Sequence, residues 1–133
     1  MEYLWNVLAA IVPMVAGFLW YNNFSFSEIW RKSVRLPENY EDNVNMPLTF
    51  GLSFIAALIM TIPLSYGANH GGEEFNTFKH GAFHGMLTGI LLVGPILLSA
   101  GLFAQRKLLP VFIDIIYWTI VLAIMSGILG AFQ

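Results

Sequence analysis

Four long apolar segments, separated by shorter polar ones, dominate the pattern of the chain. A helix needs about 20 apolar residues to cross the hydrocarbon core of a bilayer. The segments that reach this length are residues 3–21, 47–67, 80–104 and 110–133. The pattern predicts an all-α integral membrane protein, in which four transmembrane helices form a single domain over residues 1–133.

The first polar connection contains a shorter predicted helix, at about residues 26–36. Ser25 and Glu28 match a capping box, and Pro37 disfavours continuation of the helix. Apolar residues fall on one side of this helix and charged residues on the other, as in helices that lie in the headgroup layer. The alternative is a solvated connector packed on the bundle. The residues predicted to contact the membrane surface are Trp30, Arg31, Lys32 and Arg35.

Composition supports the membrane prediction. Hydrophobic residues make up 57% of the chain, charged residues make up 11%, and the mean hydropathy is +0.68. A soluble domain has about 25% charged residues. The net charge of −2 says little about partners, because the charges sit in the loops, and we expect no nucleic-acid binding. The lack of cysteine excludes a disulfide framework or a thiolate metal site.

The distribution of lysine and arginine predicts the orientation. Cytoplasmic loops of membrane proteins carry an excess of these residues. The N-terminus and second loop together contain only Lys79, whereas the first and third loops contain Arg31, Lys32, Arg35, Arg106 and Lys107. We therefore expect loops one and three to be cytoplasmic and both termini to face outward.

Two stretches carry a resemblance to a known family. They are "GFLWYNNFSFSEIW", after the first apolar segment, and "ILLVGPILLSAGLFAQRKLLPVFIDIIYWTIVLAIMSGILGAF", across the last two. Together they resemble the small bacterial four-span membrane family catalogued as domain of unknown function 1761. The resemblance implies four spans in a bacterial inner (cytoplasmic) membrane and brings no activity with it.

Small residues recur every four positions in the last two segments. Such rows let helices approach closely in lipid. They predict helix packing, either within the bundle or in a homo-oligomer, and the sequence leaves both uses open. The predicted packing residues are Gly81, Gly85 and Gly89 in the third segment and Ser126, Gly127, Gly130 and Ala131 in the fourth.

Prolines interrupt three of the segments, at Pro13, Pro63 and Pro95. Each proline removes a backbone donor and frees the carbonyl four residues earlier, which predicts a kink. Kinks near the middle of a membrane are compatible with a cavity or a moving gate. They are also tolerated in membrane helices without such a role.

The stretch "KHGAFHG" places His80 and His84 one helical turn apart, so that both imidazoles can point to the same side. A divalent metal shared by the two is one interpretation, and the preceding loop offers further ligands. Those further ligands are His70, Glu73 and Glu74. We favour the alternative, in which the two histidines bind water, headgroups or a carbonyl at the membrane surface. In zincin proteases the glutamate base directly follows the first histidine of the motif, whereas glycine follows His80, so the sequence argues against a protease of this type.

Three further polar residues lie inside the apolar segments: Asp114, Thr88 and Tyr117. An acid within a membrane is a functional candidate by default. Asp114, however, is only about one turn into its helix, where the helix dipole and Arg106 or Lys107 can stabilise the carboxylate. We expect Tyr117 to serve packing.

Three functional classes follow from these residues. The preferred hypothesis is a non-enzymatic helical bundle that contacts membrane lipid, forms a homo-oligomer and passes an ion or small solute. The second is a metal-binding sensor or enzyme that uses the His70, His80 and His84 cluster. The third is an accessory protein that binds lipid or another membrane protein. The sequence contains no cofactor motif, and we expect no cofactor beyond a possible divalent metal.

Overall fold

The computed structural model of the protein describes residues 2–23, 46–68 and 77–132. Within these ranges the chain is helical except at Thr77 and the turn at 104–107, and it contains no strand. The all-helical prediction is therefore confirmed for the described residues. The predicted surface helix at 26–36, with Trp30, Arg31, Lys32 and Arg35, lies outside them.

The helices begin and end within a few residues of the predicted segments. They are α1 (Glu2–Asn23), α2 (Met46–Ala68), α3 (Phe78–Thr88), a π-helical segment (Gly89–Val93), α4 (Gly94–Phe103) and α5 (Leu108–Phe132). Among the described helices, three are long and apolar enough to cross a membrane: α2, α5 and the continuous helix Phe78–Phe103 that joins α3 to α4. The shorter apolar stretch of α1 is Tyr3–Gly17.

The π-helical segment lies directly before Pro95. The Gly94 N–H donates to the carbonyl of Gly89, five residues earlier, instead of four. Proline cannot donate a backbone hydrogen bond, so the helix must change its bonding near this position. The expected interruption at Pro95 therefore takes the form of one π turn.

The helices alternate in direction along the bundle. Trp5 stacks on Phe132 with ring centroids 4.7 Å apart. At Gly130 an added Cβ would lie 2.9 Å from the Thr77 carbonyl oxygen and 3.4 Å from the Cβ of Ala68. The starts of α1 and α3 and the ends of α2 and α5 therefore meet at one end of the bundle, which we call the Thr77 end. Which side of a membrane this end faces stays a prediction.

Helix α5 lies at the centre of the bundle and supplies most of the core. Its residues Val121, Met125 and Leu129 are fully buried, and Leu64 of α2 and Ala9 of α1 pack in the same cluster. The other helices contact α5 with one face and expose large apolar side chains on the opposite face. An outer surface of this kind is suited to lipid contact.

Candidate functional site

A row of glycines, which runs from α3 into the π-helical segment, packs directly on the backbone of α5. A Cβ added at Gly81 would overlap the carbonyl oxygen of Ser126, and one added at Gly85 would overlap that of Leu122. A Cβ added at Gly89 would lie 2.7 Å from the Cα of Thr119. Real Cβ atoms do not approach so closely, so only glycine permits this helix spacing.

The small residues of α5 complete the same interface. Gly127 lies under the Phe78 ring, and a Cβ added at Gly127 would be 2.6 Å from the nearest ring atom. A Cβ added at Gly130 would be 3.2 Å from the Cα of Gly81. The glycines predicted to pack therefore meet within one chain. A homo-oligomer stays a prediction, and with these glycines in contact inside one chain it would use other helix faces.

A cavity of about 450 Å³ lies beside this interface. Helices α2, α3, α4 and α5 and the π-helical segment all contribute to its wall. Its volume falls in the range of about 300–1,000 Å³ that is usual for small-molecule sites. The lining residues are Met60, Pro63, Leu64, Gly67, His84, Thr88, Leu92, Val93, Leu97, Trp118, Leu122 and Ser126.

Polar groups are concentrated in the part of the cavity wall nearest the Thr77 end. The Thr88 hydroxyl donates to the carbonyl of His84 at 2.9 Å. The Ser126 hydroxyl is fully buried and has no hydrogen-bond partner among the described residues. Its Cβ would lie 2.8 Å from a Cβ at Gly85, so the Ser126 side chain faces α3 next to His84. Sequence analysis treated Ser126 only as a packing residue.

His80 and His84 are brought together as predicted. Their Nε2 atoms are 3.1 Å apart, and the two rings meet edge to face. Thr77 caps the start of α3 by accepting from the backbone N–H of His80. No group of three or more metal-ligating side chains occurs in the described part of the chain. His70, Glu73 and Glu74 lie outside that part.

Asp114 forms an ion pair with Arg106 at the opposite end of the bundle. An Arg106 Nη2 donates to Asp114 Oδ2 at 2.8 Å, and the two side chains are 15% and 8% exposed. The turn after α4 positions this arginine, because Arg106 N–H bonds the carbonyl of Gly101 and Gln105 takes a left-handed φ of 60°. The Asp114 carboxylate does not line the cavity.

Two polar contacts hold α1 against the bundle. The Tyr117 hydroxyl donates to the carbonyl of Pro13 at 2.8 Å. Asn6 Nδ2 donates to the Thr61 hydroxyl at 2.8 Å, and that hydroxyl donates to the carbonyl of Leu58 at 2.6 Å. The second contact was not predicted from the sequence. Its signal there was Asn6, a polar residue in the first apolar segment, and Thr61, one of several hydroxyl residues in the second.

Comparison with models of known protein families assigns the chain to one family. The family model described as "Protein of unknown function (DUF1761)" matches residues 5–130, which is nearly the whole chain. The chain belongs to this family. The resemblance found in the sequence is thereby confirmed. No curated protein and no solved structure matches the chain, so the DUF1761 assignment brings no ligand or activity with it.

Proposed function

We propose that this DUF1761 chain is a non-enzymatic integral membrane protein whose cavity holds a small apolar molecule. The observation that supports it is the cavity of about 450 Å³ between α2 and the closely packed pair formed by the α3–α4 helix and α5. The cavity borders the glycine-lined interface, which keeps two of its walls fixed. Fixed walls reduce the ordering cost of binding.

The exterior supports residence in a membrane. Large apolar side chains on the outer faces are more than half exposed, among them Ile59 of α2, Leu91 of the π-helical segment and Phe103 of α4. Water would disfavour such a surface, whereas lipid tails would solvate it. The bilayer would then also be the source of apolar molecules that reach the cavity.

The chemistry of the wall favours an apolar occupant over an ion. Met60, Leu64, Leu97 and Trp118 supply apolar surface, and within the described ranges no aspartate, glutamate, lysine or arginine lines the cavity. An ion in this space would lose its hydration without compensation from an opposite charge. The geometry therefore gives the ion-passing hypothesis less support than the binding hypothesis.

The π-helical segment adds a second argument for binding. Leu92 and Val93 of this segment line the cavity. A π turn inserts an extra residue into a helix and re-aims the side chains around it, and such turns are frequent at functional sites. The interruption at Pro95 thus shapes the wall of the cavity.

Gly67→Leu tests this proposal, since Gly67 lines the cavity and a Cβ there meets no atom within 4 Å. The matched control is Gly51→Leu, because Gly51 also has open space around an added Cβ and lies outside the cavity. Protein in lipid nanodiscs is titrated with hexadecane that carries a photoactivatable diazirine. Labelling is then read by mass spectrometry on the peptide that contains Trp118.

We expect saturable labelling of the wild-type protein and of Gly51→Leu, and at least fivefold weaker labelling of Gly67→Leu. Unlabelled hexadecane should compete for the same site. Labelling that does not saturate, or that is equal in the two variants, would show only contact with bulk lipid and would overturn the proposal.

Divalent-metal binding is a second candidate, favoured by the distance of 3.1 Å between the Nε2 atoms of His80 and His84. Two nitrogens bound to one zinc at about 2.0–2.1 Å in a tetrahedral shell are about 3.3–3.4 Å apart. If the candidate holds, zinc should raise the unfolding free energy by about 2.7 kcal/mol at a hundredfold excess over Kd. The double variant His80→Gln, His84→Gln should lose this gain. If zinc does not change the melting curve of the wild-type protein, metal binding at this site is excluded.

A further inference from the structure

We infer that the occupant of the cavity is an uncharged carbonyl compound with an apolar body, whose carbonyl oxygen accepts a hydrogen bond from the indole N–H of Trp118. This inference rests on the proposed function and adds the chemical class of the ligand. Four features of Trp118 support it: the direction of its side chain, its hydrogen bonding, its exposure and its depth in the bundle.

The Trp118 side chain points into the bundle. On the outer face of α5, Ile116 and Ile120 are 51% and 44% exposed. Trp118 lies two residues from each of them, which is about 160° around a helix with 3.6 residues per turn. It is half-buried and lines the cavity together with Leu122, one turn later. A molecule in the cavity therefore contacts this side chain.

The indole N–H of Trp118 has no hydrogen-bond partner among the described residues. The Trp118 ring meets the Tyr117 ring edge to face with centroids 5.2 Å apart, and no hydrogen bond to Nε1 accompanies this contact. The neighbouring Tyr117 hydroxyl, by contrast, donates to the carbonyl of Pro13. An indole has one polar atom, which can only donate. A group that satisfies Trp118 must therefore supply an acceptor.

Exposure separates this donor from the Ser126 hydroxyl, which also belongs to the cavity wall. Ser126 is fully buried and faces Gly85 in the closed interface between α3 and α5, so a ligand does not reach it. Trp118 is only half-buried, and its Nε1 is not among the fully buried atoms without a partner. A carbonyl group in the cavity can therefore reach the indole N–H without opening a helix interface.

The depth of Trp118 excludes water as its usual partner. Trp118 lies about 15 Å along α5 from Leu108 and about 21 Å from Phe132. In a helix that crosses a hydrocarbon core of about 30 Å, this position is near the middle of the core. It is far from the two interfaces where tryptophan is enriched in membrane proteins. Because the bilayer core offers no water to a donor, the ligand itself would supply the acceptor.

The same depth selects an acceptor without charge. An ion near the middle of a bilayer loses its hydration at a high cost. The carbonyl of a ketone or an ester accepts a hydrogen bond without carrying a charge, and it adds no donor that would need a partner of its own. The apolar lining residues, among them Leu97 and Leu122, suit the hydrocarbon body of such a molecule.

The experiment compares two photoactivatable probes in nanodiscs: hexadecane, and a hexadecanone of the same length with its ketone near the middle of the chain. Half-saturating amounts are measured from labelling of the peptide that contains residue 118. They are expressed as mole fractions in the lipid, so that partition into the bilayer cancels. We expect the ketone to half-saturate at about fivefold lower mole fraction than hexadecane, the effect of one net hydrogen bond.

Two results in the wild-type protein are distinguishable failures. Equal half-saturation by the two probes would leave an apolar cavity without carbonyl recognition, so the inference would be wrong and the proposed function would survive. If neither probe saturates at this peptide, the proposed function is wrong as well.

Trp118→Phe keeps an aromatic ring in the wall and removes the N–H. The ketone and hexadecane should then half-saturate at equal mole fractions. Trp5→Phe is the matched control, because Trp5 stacks on Phe132 and does not line the cavity, and it should keep the fivefold preference. A ketone preference that persists in Trp118→Phe would assign the carbonyl to another donor and contradict the inference.

Infrared spectroscopy keeps the inference testable if Trp118→Phe does not fold. The ketone is isotope-labelled at its carbonyl carbon, and its stretching band is recorded in nanodiscs with and without the wild-type protein. A hydrogen bond weakens the carbonyl bond, so the bound ketone should absorb at lower frequency than the ketone in lipid. A band that does not shift at saturating occupancy would show that no donor contacts the carbonyl and would rule the inference out.

Discussion

Two neighbouring rows on the continuous helix Phe78–Phe103 share a spacing of four residues and have opposite effects on packing. The first row, Gly81, Gly85 and Gly89, lets the α5 backbone approach until no Cβ would fit. The second row, His84, Thr88 and Leu92, faces the cavity. Side-chain size alone separates a closed helix interface from an open one on the same helix.

In the membrane that we propose for this protein, the contrast would follow from how helices associate in lipid. Lipid tails are as apolar as leucine, so close van der Waals contact rather than hydrophobic burial holds such helices together. The glycine row maximises that contact with α5. On the neighbouring side α2 presents Met60, Pro63 and Leu64, and these side chains line the cavity with the second row instead of filling it.

The largest expected effect comes from a side chain placed in the closed interface. Gly85→Leu would drive a Cβ into the Leu122 carbonyl oxygen, and the backbone there cannot yield as a flexible side chain would. We expect a loss of about 3 kcal/mol in unfolding free energy, the upper end for overpacking. Thermal unfolding in detergent, followed by circular dichroism, measures it.

The control for this prediction is Gly51→Leu, where an added Cβ meets nothing within 4 Å. It should not destabilise the protein, because leucine favours a helix more than glycine does. If Gly85→Leu melts like Gly51→Leu, α3 and α5 are not held at the spacing described here, and the contrast between the two rows fails.

The ion pair at the far end should have the next largest effect. Arg106→Ala leaves the buried Asp114 carboxylate without its cation, and we expect a loss of about 2 kcal/mol, as for a hydrogen bond between charged groups. Asp114→Ala should cost less, because the long Arg106 side chain near a helix end can extend to water. Lys107→Ala, at an exposed position in the same turn, should be neutral. If denaturant titrations show a larger loss of unfolding free energy for Asp114→Ala than for Arg106→Ala, this explanation is wrong.

The contact between α1 and α2 should have the smallest effect. Asn6→Leu and Thr61→Val each remove one partner of a hydrogen bond of 2.8 Å. Polar pairs between membrane helices contribute about 0.6 kcal/mol on average in double-mutant cycles. A cycle on these two residues should give a coupling of that size. A coupling of zero would mean that the described α1 position is not held by this pair.

The fold was largely predictable because its signals are local. Each apolar segment is long enough to predict a helix from its own residues, without knowledge of its neighbours. Glycines four residues apart likewise indicate a helix-packing surface. The sequence placed Arg106 and Lys107 just before the helix that contains Asp114, and the structure pairs the carboxylate with Arg106. The interfacial helix and the loop that contains His70 stay predictions.

The cavity was not predictable, because it depends on distances between segments. Ser126 has the same sequence signature as the packing glycines beside it, and only the position of α3 shows that its hydroxyl lacks a partner in the described residues. Trp118 has the pattern of a packing residue and lines the cavity. The proline pattern predicted an interruption at Pro95 but not a π turn, which redirects Leu92 and Val93.

A structure determined in lipid nanodiscs would test the central claim most directly. We expect an elongated density between α2 and the α3–α4 helix, beside Trp118. The α3–α5 interface should show no such density. A closed bundle, in which α2 packs against Leu92 and Leu97 and leaves no space beside Trp118, would contradict it.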